Sequence, residues 1–186
     1  MKTYDFAYGH GRKTFDYDEN LVIKEVRTEE FPVMEDVKAG VLDAIYHPIG
    51  SKPINEIVKP GDTVAFICND PTRVANSFDF MPVLVDEMNR LGVKDEDMHI
   101  LFSLGTHRDM THEEMVEAVG ENVASRLKMY NSTCTKQEDF EYFGTTSRGT
   151  PVWINKHICH VDHVIMTGTI VHHYFSGYGG GRKAIL

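Results

Sequence analysis

Thr63-Val64-Ala65-Phe66-Ile67-Cys68-Asn69-Asp70-Pro71-Thr72-Arg73 is the stretch on which the fold turns. Its first half is a continuous apolar run, the pattern of a strand buried on both faces. Its second half is a polar loop rich in turn-forming residues. A helix is predicted next, from about Phe78 to Leu91, with Ser77 as its N-cap and Gly92 as its stop. The unit then repeats. Met98-His99-Ile100-Leu101-Phe102-Ser103 reads as a strand, and Gly105-Thr106-His107-Arg108 as its loop. Thr111-His112-Glu113-Glu114 fits a capping box that opens a helix. Met115, Val119, Val123 and Leu127 recur along it every four residues. His163-Val164-Ile165-Met166-Thr167-Gly168 reads as a third buried strand, running into a glycine-rich tail. Strands alternating with helices predict an α/β fold of the Rossmann-like kind: a mostly parallel sheet with helices on both faces.

Other segments fit around these units. Tyr4–Tyr8 and Thr14–Tyr17 alternate about Gly9-His10-Gly11, which predicts an N-terminal β-hairpin. Leu21–Val26 is expected to be a third extended run, Glu35–Tyr46 a helix, and Lys128-Met129-Tyr130 a short strand. Glu141–Gly144 and Pro151–Ile154 pair as a second hairpin. Residues 1–186 read as one domain, with residues 1–30 as a hairpin extension. The chain breaks off in mid-pattern at Ala184-Ile185-Leu186, as though a longer protein continued beyond it.

Composition narrows the function. Hydrophobic residues make up 41%, enough for a core, yet no apolar run approaches the ~20 residues of a membrane span. The start lacks the apolar centre of a signal peptide. Three cysteines, with no Cys-x-x-Cys, suit reduced thiols in the cytoplasm. A net charge of -9 repels nucleic acid unless a separate basic face is present, so neither nucleic acid nor a membrane is expected as a partner. Arg73, His107, Arg108, His172, His173, Arg182 and Lys183 nevertheless fall in segments with few acids, which suggests a basic pocket for a small anion.

In open α/β sheets, ligands bind beyond the carboxyl ends of the strands. Each strand here ends in chemically loaded residues, and parallel strands would bring them to one edge. Asp70-Pro71-Thr72-Arg73 offers a carboxylate, a hydroxyl and a guanidinium suited to gripping a carboxylate, or else a plain Asp-Pro turn. His107 is a candidate acid/base, or an ordinary loop histidine. His172 and His173 are neighbours, so in extended chain at most one faces a ligand. Gly179-Gly180-Gly181-Arg182-Lys183 matches neither a Walker A loop nor a dinucleotide fingerprint. Its amides could still hold an anion. One cation beside another favours the neutral amine, so Lys183 next to Arg182 is a candidate nucleophile. His157-Ile158-Cys159-His160 with His163 has residue types that suit zinc or nickel but no standard spacing, and reads as a surface cluster.

Asp70-Pro71-Thr72-Arg73, Gly105-Thr106-His107-Arg108 and His173-Tyr174-Phe175-Ser176-Gly177-Tyr178-Gly179-Gly180-Gly181-Arg182-Lys183, in this order, resemble the N-terminal domain of the nickel-pincer lactate racemase family. The resemblance covers essentially the whole chain, and its last motif is the most specific. It implies a racemase or epimerase that inverts C2 of a lactate-like 2-hydroxy acid by hydride transfer. The implied cofactor is pyridinium-3,5-bisthiocarboxylic acid mononucleotide nickel, held covalently on Lys183. His107 and His173 would be the acid/base pair, and Arg73 would bind the substrate carboxylate. Asp70, Thr72, Ser176, Gly179, Gly180, Gly181 and Arg182 would line the cofactor.

The resemblance also implies partners: proteins that make the cofactor, and a C-terminal domain of the same protein. In the family a histidine after the lysine completes the nickel site, so that ligand is expected beyond Leu186 and none within this chain. As a fragment, the chain is expected to be inactive and to lack the cofactor. Val74 stands where the family often has proline, which weakens a claim for lactate itself. Two alternatives remain at this point. One is a metal-dependent hydrolase or isomerase with His107 and His173 as ligands. The other is a non-catalytic module that binds a phosphorylated metabolite.

Overall fold

Four parallel strands carry the fold. The computed structural model describes residues 1–26, 32–73, 75–174 and 176–185, and it divides into two compact units, Met1–Met34 and Glu35–Leu186. In the larger unit, helices α1 (Val37–Tyr46) and α2 (Ile54–Ile57) precede strand β3 (Val64–Asn69). Helix α3 (Ser77–Arg90), strand β4 (Met98–Gly105), helices α4 (His112–Val119) and α5 (Glu121–Ala124), and strand β5 (Lys128–Thr133) follow. A hairpin of β6 (Phe140–Thr145) and β7 (Pro151–Asn155), the single turn α6 (Lys156–Cys159) and strand β8 (His163–Met166) come next. Two short strands, β9 (His172–His173) and β10 (Gly177–Tyr178), form the tail. The smaller unit holds β1 (Lys2–Tyr8) and β2 (Gly11–Tyr17).

The sheet order is β5-β4-β3-β8. Val64 pairs in register with both Met98 and His163, and Asn69 with Ser103. Parallel strands that start level run out of the sheet on the same side, so the loops after β3 and the slightly longer β4 leave from the same edge.

Alternation along the strands splits the core in two. Val64, Phe66, Cys68, Ile100, Phe102 and Leu104 face Met81, Leu84, Val85, Met88, Met115, Val119 and Val123, all buried, with Val41 and Ile45 of α1 packed alongside. Ala65, Ile67 and Leu101 face the other way, onto Ile158, Ile154, Ala184 and Ile185. The expected cover on both faces is therefore uneven. One face carries α1, α3 and α4; the other carries one short helix, a hairpin and the chain's tail. The capping box of α4 forms as expected, with Thr111 and Glu114 each bonded to the other's backbone. The four-residue apolar spacing runs on to Leu127, but Gly120 at φ +84 ends α4 and starts α5.

Three expectations differ from the structure. Leu21–Val26 is not a strand: the Asp18 side chain caps a 3-10 turn at Glu19–Leu21, and Ile23 and Val26 beyond it are exposed. Ser77 is the first helical residue of α3, and Asn76, left-handed at φ +51, is the N-cap. Asparagine tolerates that conformation better than most residues. β8 is an edge strand, half-buried and paired only to β3 among the described strands, so it is less enclosed than its apolar sequence implies.

The smaller unit is the expected hairpin, with Lys2 opposite Tyr17 and Gly9 at φ +58 in its turn. Tyr4, Phe6, Phe15 and Tyr17 share one face, and the Phe6 and Phe15 rings stack 5.3 Å apart. The expected end of this extension at residue 30, like Val74 and Phe175 of the loops, lies outside the described residues. Among the described residues no helix is long and apolar enough to cross a membrane.

Phe102 is fully buried at the centre of β4. Truncation to alanine in a well-packed core costs about 3–5 kcal/mol, from lost burial and the cavity left behind. Phe102→Ala is expected to lower the urea midpoint sharply with little change in slope, followed by circular dichroism.

Candidate functional site

The site begins where β3 runs out of apolar residues. Asp70 is only 7% exposed, and both of its oxygens are used. The Thr72 amide donates to Oδ1 at 2.7 Å and the Thr72 hydroxyl to the same oxygen at 2.5 Å. This is an Asx turn, the local chemistry that Asp-Pro-Thr favours. Arg73 Nη1 donates in turn to the Thr72 hydroxyl at 3.1 Å and to its carbonyl at 3.3 Å, so the loop steadies the guanidinium.

β4 ends in a register shift between Ser103 and Gly105. Gly105, at φ +58, turns the chain, and the His107 amide donates to the Leu104 carbonyl. The turn puts His107 Nδ1 2.7 Å from Asp70 Oδ2. Burial disfavours the Asp70 carboxylate, but the Thr72 bonds and the His107 contact outweigh it and hold the pKa below the usual aspartate range. Arg108 points elsewhere: it grips Glu114 through both terminal nitrogens, at 2.6 and 2.8 Å.

The tail closes the third side. Thr167 donates to the Ile67 carbonyl from both amide and hydroxyl, at 2.9 and 2.8 Å. The chain then leaves the sheet, pairs β9 with β10, and returns through a 3-10 turn at Gly181–Ala184. Ser103 Oγ donates to the Ala184 carbonyl at 2.7 Å, and Ala184 and Ile185 pack against the sheet face. Gly180 sits at φ +74, where a Cβ would lie 2.8 Å from the Thr169 carbonyl oxygen. Only glycine lets those two backbones approach so closely.

The three loops enclose a cleft of about 540 Å³. The first loop lends it Asn69, Asp70, Thr72 and Arg73. The second lends Ser103, Leu104, Gly105, Thr106 and His107. The third lends Thr169, Val171, His173, Gly179, Gly180, Lys183 and Ala184. Eight residues singled out in the sequence thus meet here: Asp70, Thr72, Arg73, His107, His173, Gly179, Gly180 and Lys183. Ser176, Gly181 and Arg182 belong to the tail but not to the lining. Asn69, which stands in the first loaded loop, and Ser103 and Thr169 carry no role in the sequence analysis. For the first two a signal existed, since they are polar residues at matched register ending two apolar strands.

The two adjacent histidines part company as expected. His173 lines the cleft, stacks on Tyr174 at 4.8 Å, and its Nδ1 accepts the Ser176 amide at 3.3 Å. His172 is exposed, with its ring 4.8 Å from that of Tyr178. The supposed surface cluster at 157–163 is dispersed and partly internal. His157 is half-buried, stacks on Tyr130 at 3.7 Å, and has its pKa lowered by burial. His160 pairs with Glu141 and His163 with Asp62. Among the described residues no three His, Cys, Asp or Glu side chains converge as metal ligands would.

The family described as the lactate racemase N-terminal domain matches residues 8–186. The lactate racemase of Thermoanaerobacterium thermosaccharolyticum is 28% identical over 188 residues, which covers 100% of this chain and 44% of that protein. The lactate racemase of Lactiplantibacillus plantarum is 31% identical over 140 residues, 75% of this chain and 33% of that protein. The structure of the lactate racemase apoprotein from T. thermosaccharolyticum superposes with a TM-score of 0.82 at 27% identity, over 99% of this chain and 43% of that one. The chain spans less than half the length of these relatives.

The depressed Asp70 pKa has a consequence for stability. A carboxyl that ionises more easily when folded contributes stability above its unfolded pKa, about 3.9, and loses it as pH falls through the folded value. Urea titrations from about pH 6 down to pH 2 are expected to show this acid-side loss in the wild type and a shallower one in Asp70→Asn.

Proposed function

This chain belongs to the lactate racemase N-terminal domain family, and we propose that it forms the catalytic cleft of an isomerase that inverts C2 of a small 2-hydroxy acid. One observation carries the reading: His107, His173, Arg73 and Lys183, from three separate loops, line a single cleft. Inversion needs proton-handling groups on two faces of one carbon, and histidines on different loops can supply them. A solvated loop or a plain Asp-Pro turn would need no such convergence.

The residues present fit the organic part of a nickel-pincer nucleotide. Lys183 brings an amine into the cleft for a covalent link, and Gly180 packs tightly enough to expose backbone rather than side chain. Asp70, Thr72, Gly179 and Gly180 are the proposed cradle within the lining, with Ser176, Gly181 and Arg182 beside it in the tail. The nickel would come within that organic ligand, with a histidine beyond Leu186 completing its coordination. When bound, the cofactor supplies reversible hydride acceptance, which no side chain of this chain offers.

The chain's own residues do the rest. Arg73, steadied by Thr72, pairs with the substrate carboxylate through two parallel hydrogen bonds and so fixes C2. His107, bonded to Asp70, takes the hydroxyl proton of one enantiomer as C2 becomes planar. His173 serves the opposite face. Residues 1–186 act as an N-terminal domain with a hairpin extension. A second domain of the same cytoplasmic protein closes the cleft, and cofactor-making proteins load it. This chain alone is inactive.

Full-length protein produced with the cofactor pathway is expected to carry a mass adduct on Lys183, absent in Lys183→Ala, by intact-mass spectrometry. His107→Ala and His173→Ala are each expected to slow racemisation by about 10²–10⁴-fold, the usual worth of a general acid/base, by chiral chromatography. An unmodified Lys183 sinks the anchor, and undiminished racemisation in both variants sinks the histidine roles.

A further inference from the structure

We propose that the two cleft histidines are held in opposite tautomers, His107 with its proton on Nδ1 and His173 with its proton on Nε2, and that Asp70 is the positioning residue that sets the first. This rests on the acid/base reading of the two residues given above.

The assignment follows from which partners can only accept and which can only donate. An ionised carboxylate has no proton to give. Asp70 Oδ2 lies 2.7 Å from His107 Nδ1, so that nitrogen carries the proton and Nε2 keeps its lone pair. A backbone amide has no lone pair to offer. The Ser176 amide donates to His173 Nδ1 at 3.3 Å, so in the neutral ring the proton sits on Nε2. Both rings line the same cleft, one with a lone pair at Nε2 and the other with a proton there.

The resting site is therefore prepared for one order of events. His107 takes the substrate's hydroxyl proton directly. His173 first donates a hydrogen bond from Nε2; to accept a proton there it must take up a solvent proton at Nδ1, which breaks the Ser176 bond, and release its Nε2 proton to solvent. Two enantiomers are equal in energy, so their kcat/KM values must match. The asymmetry then appears as kcat and KM that differ together between the two directions.

Asp70→Asn is a sharp test. The Thr72 amide still donates into the Oδ1 position, so the asparagine carbonyl must stay there. Its NH2 group then faces His107 and donates to Nδ1, which drives the proton to Nε2. Long-range ¹H–¹⁵N spectra of full-length protein, with histidine labelled and both rings neutral, are expected to show the two tautomers in the wild type. They are expected to show Nε2–H for both rings in Asp70→Asn. In the cofactor-loaded enzyme, the same variant is expected to lose about 10²–10⁴-fold in racemisation. Asp70→Glu is expected to recover part of that loss together with the Nδ1–H signal.

An Nε2–H signal for His107 in the wild type overturns the proposal, and so does matching tautomers in the two wild-type rings. The wild-type spectrum decides even if the variant does not fold. Opposite tautomers with undiminished racemisation in His107→Ala would uphold the tautomers and sink the catalytic reading beneath them. Matching tautomers with a large loss in His107→Ala would do the reverse.

Discussion

The parallel ladder between β3 and β4 places Asn69 beside Ser103, and everything at the site hangs from that register. Each strand turns polar at that level, with Asn69 on one and Ser103 on the other, although Leu104 of β4 still packs in the core beyond it. The two loops leave together, which lets a carboxylate on one reach an imidazole on the other. A slip of one residue would turn every side chain of a strand to the opposite face. It would break the two-sided core and separate Asp70 from His107 at once. Core packing and site geometry are thus specified by the same hydrogen bonds.

The cleft shows how an acidic protein can gather cations at one place. Of the cations grouped in the motif segments, Arg108 is tied up with Glu114 outside the lining, whereas Arg73 and Lys183 reach the cleft. Asp70 is the acid in their midst, and its charge is spent on Thr72 and His107. The net charge of -9 therefore says little about the potential inside. Local bonding decides which charges face a ligand.

Much of this was legible in the sequence, for definable reasons. Apolar runs identified β3 and β4, and the Thr-x-x-Glu spacing identified the start of α4. The three loaded loops were recognisable because parallel strands share an edge, so convergence was a consequence of topology rather than of any motif alone. What stayed hidden depended on partners distant in sequence. Nothing in His163–Met166 says that only one side of the strand is paired. His157 looks solvent-facing until Tyr130 is seen stacked on it. Asp70 could be read as a ligand contact, but its bond to His107 spans 37 residues and appears only in three dimensions.

The tail is fastened at both ends. Thr167 is bonded to Ile67 at the start, and Ala184 is bonded to Ser103 and packed on the sheet at the finish. The segment between Thr167 and Ala184 therefore leaves and rejoins the sheet at points that the fold already brings together. Its closure entropy is met when the protein folds, not when a ligand arrives. Lys183 lies one residue from the second fastening, so its backbone searches little space. A group attached there would inherit the order of the sheet, and the entropy lost on positioning it would be correspondingly small.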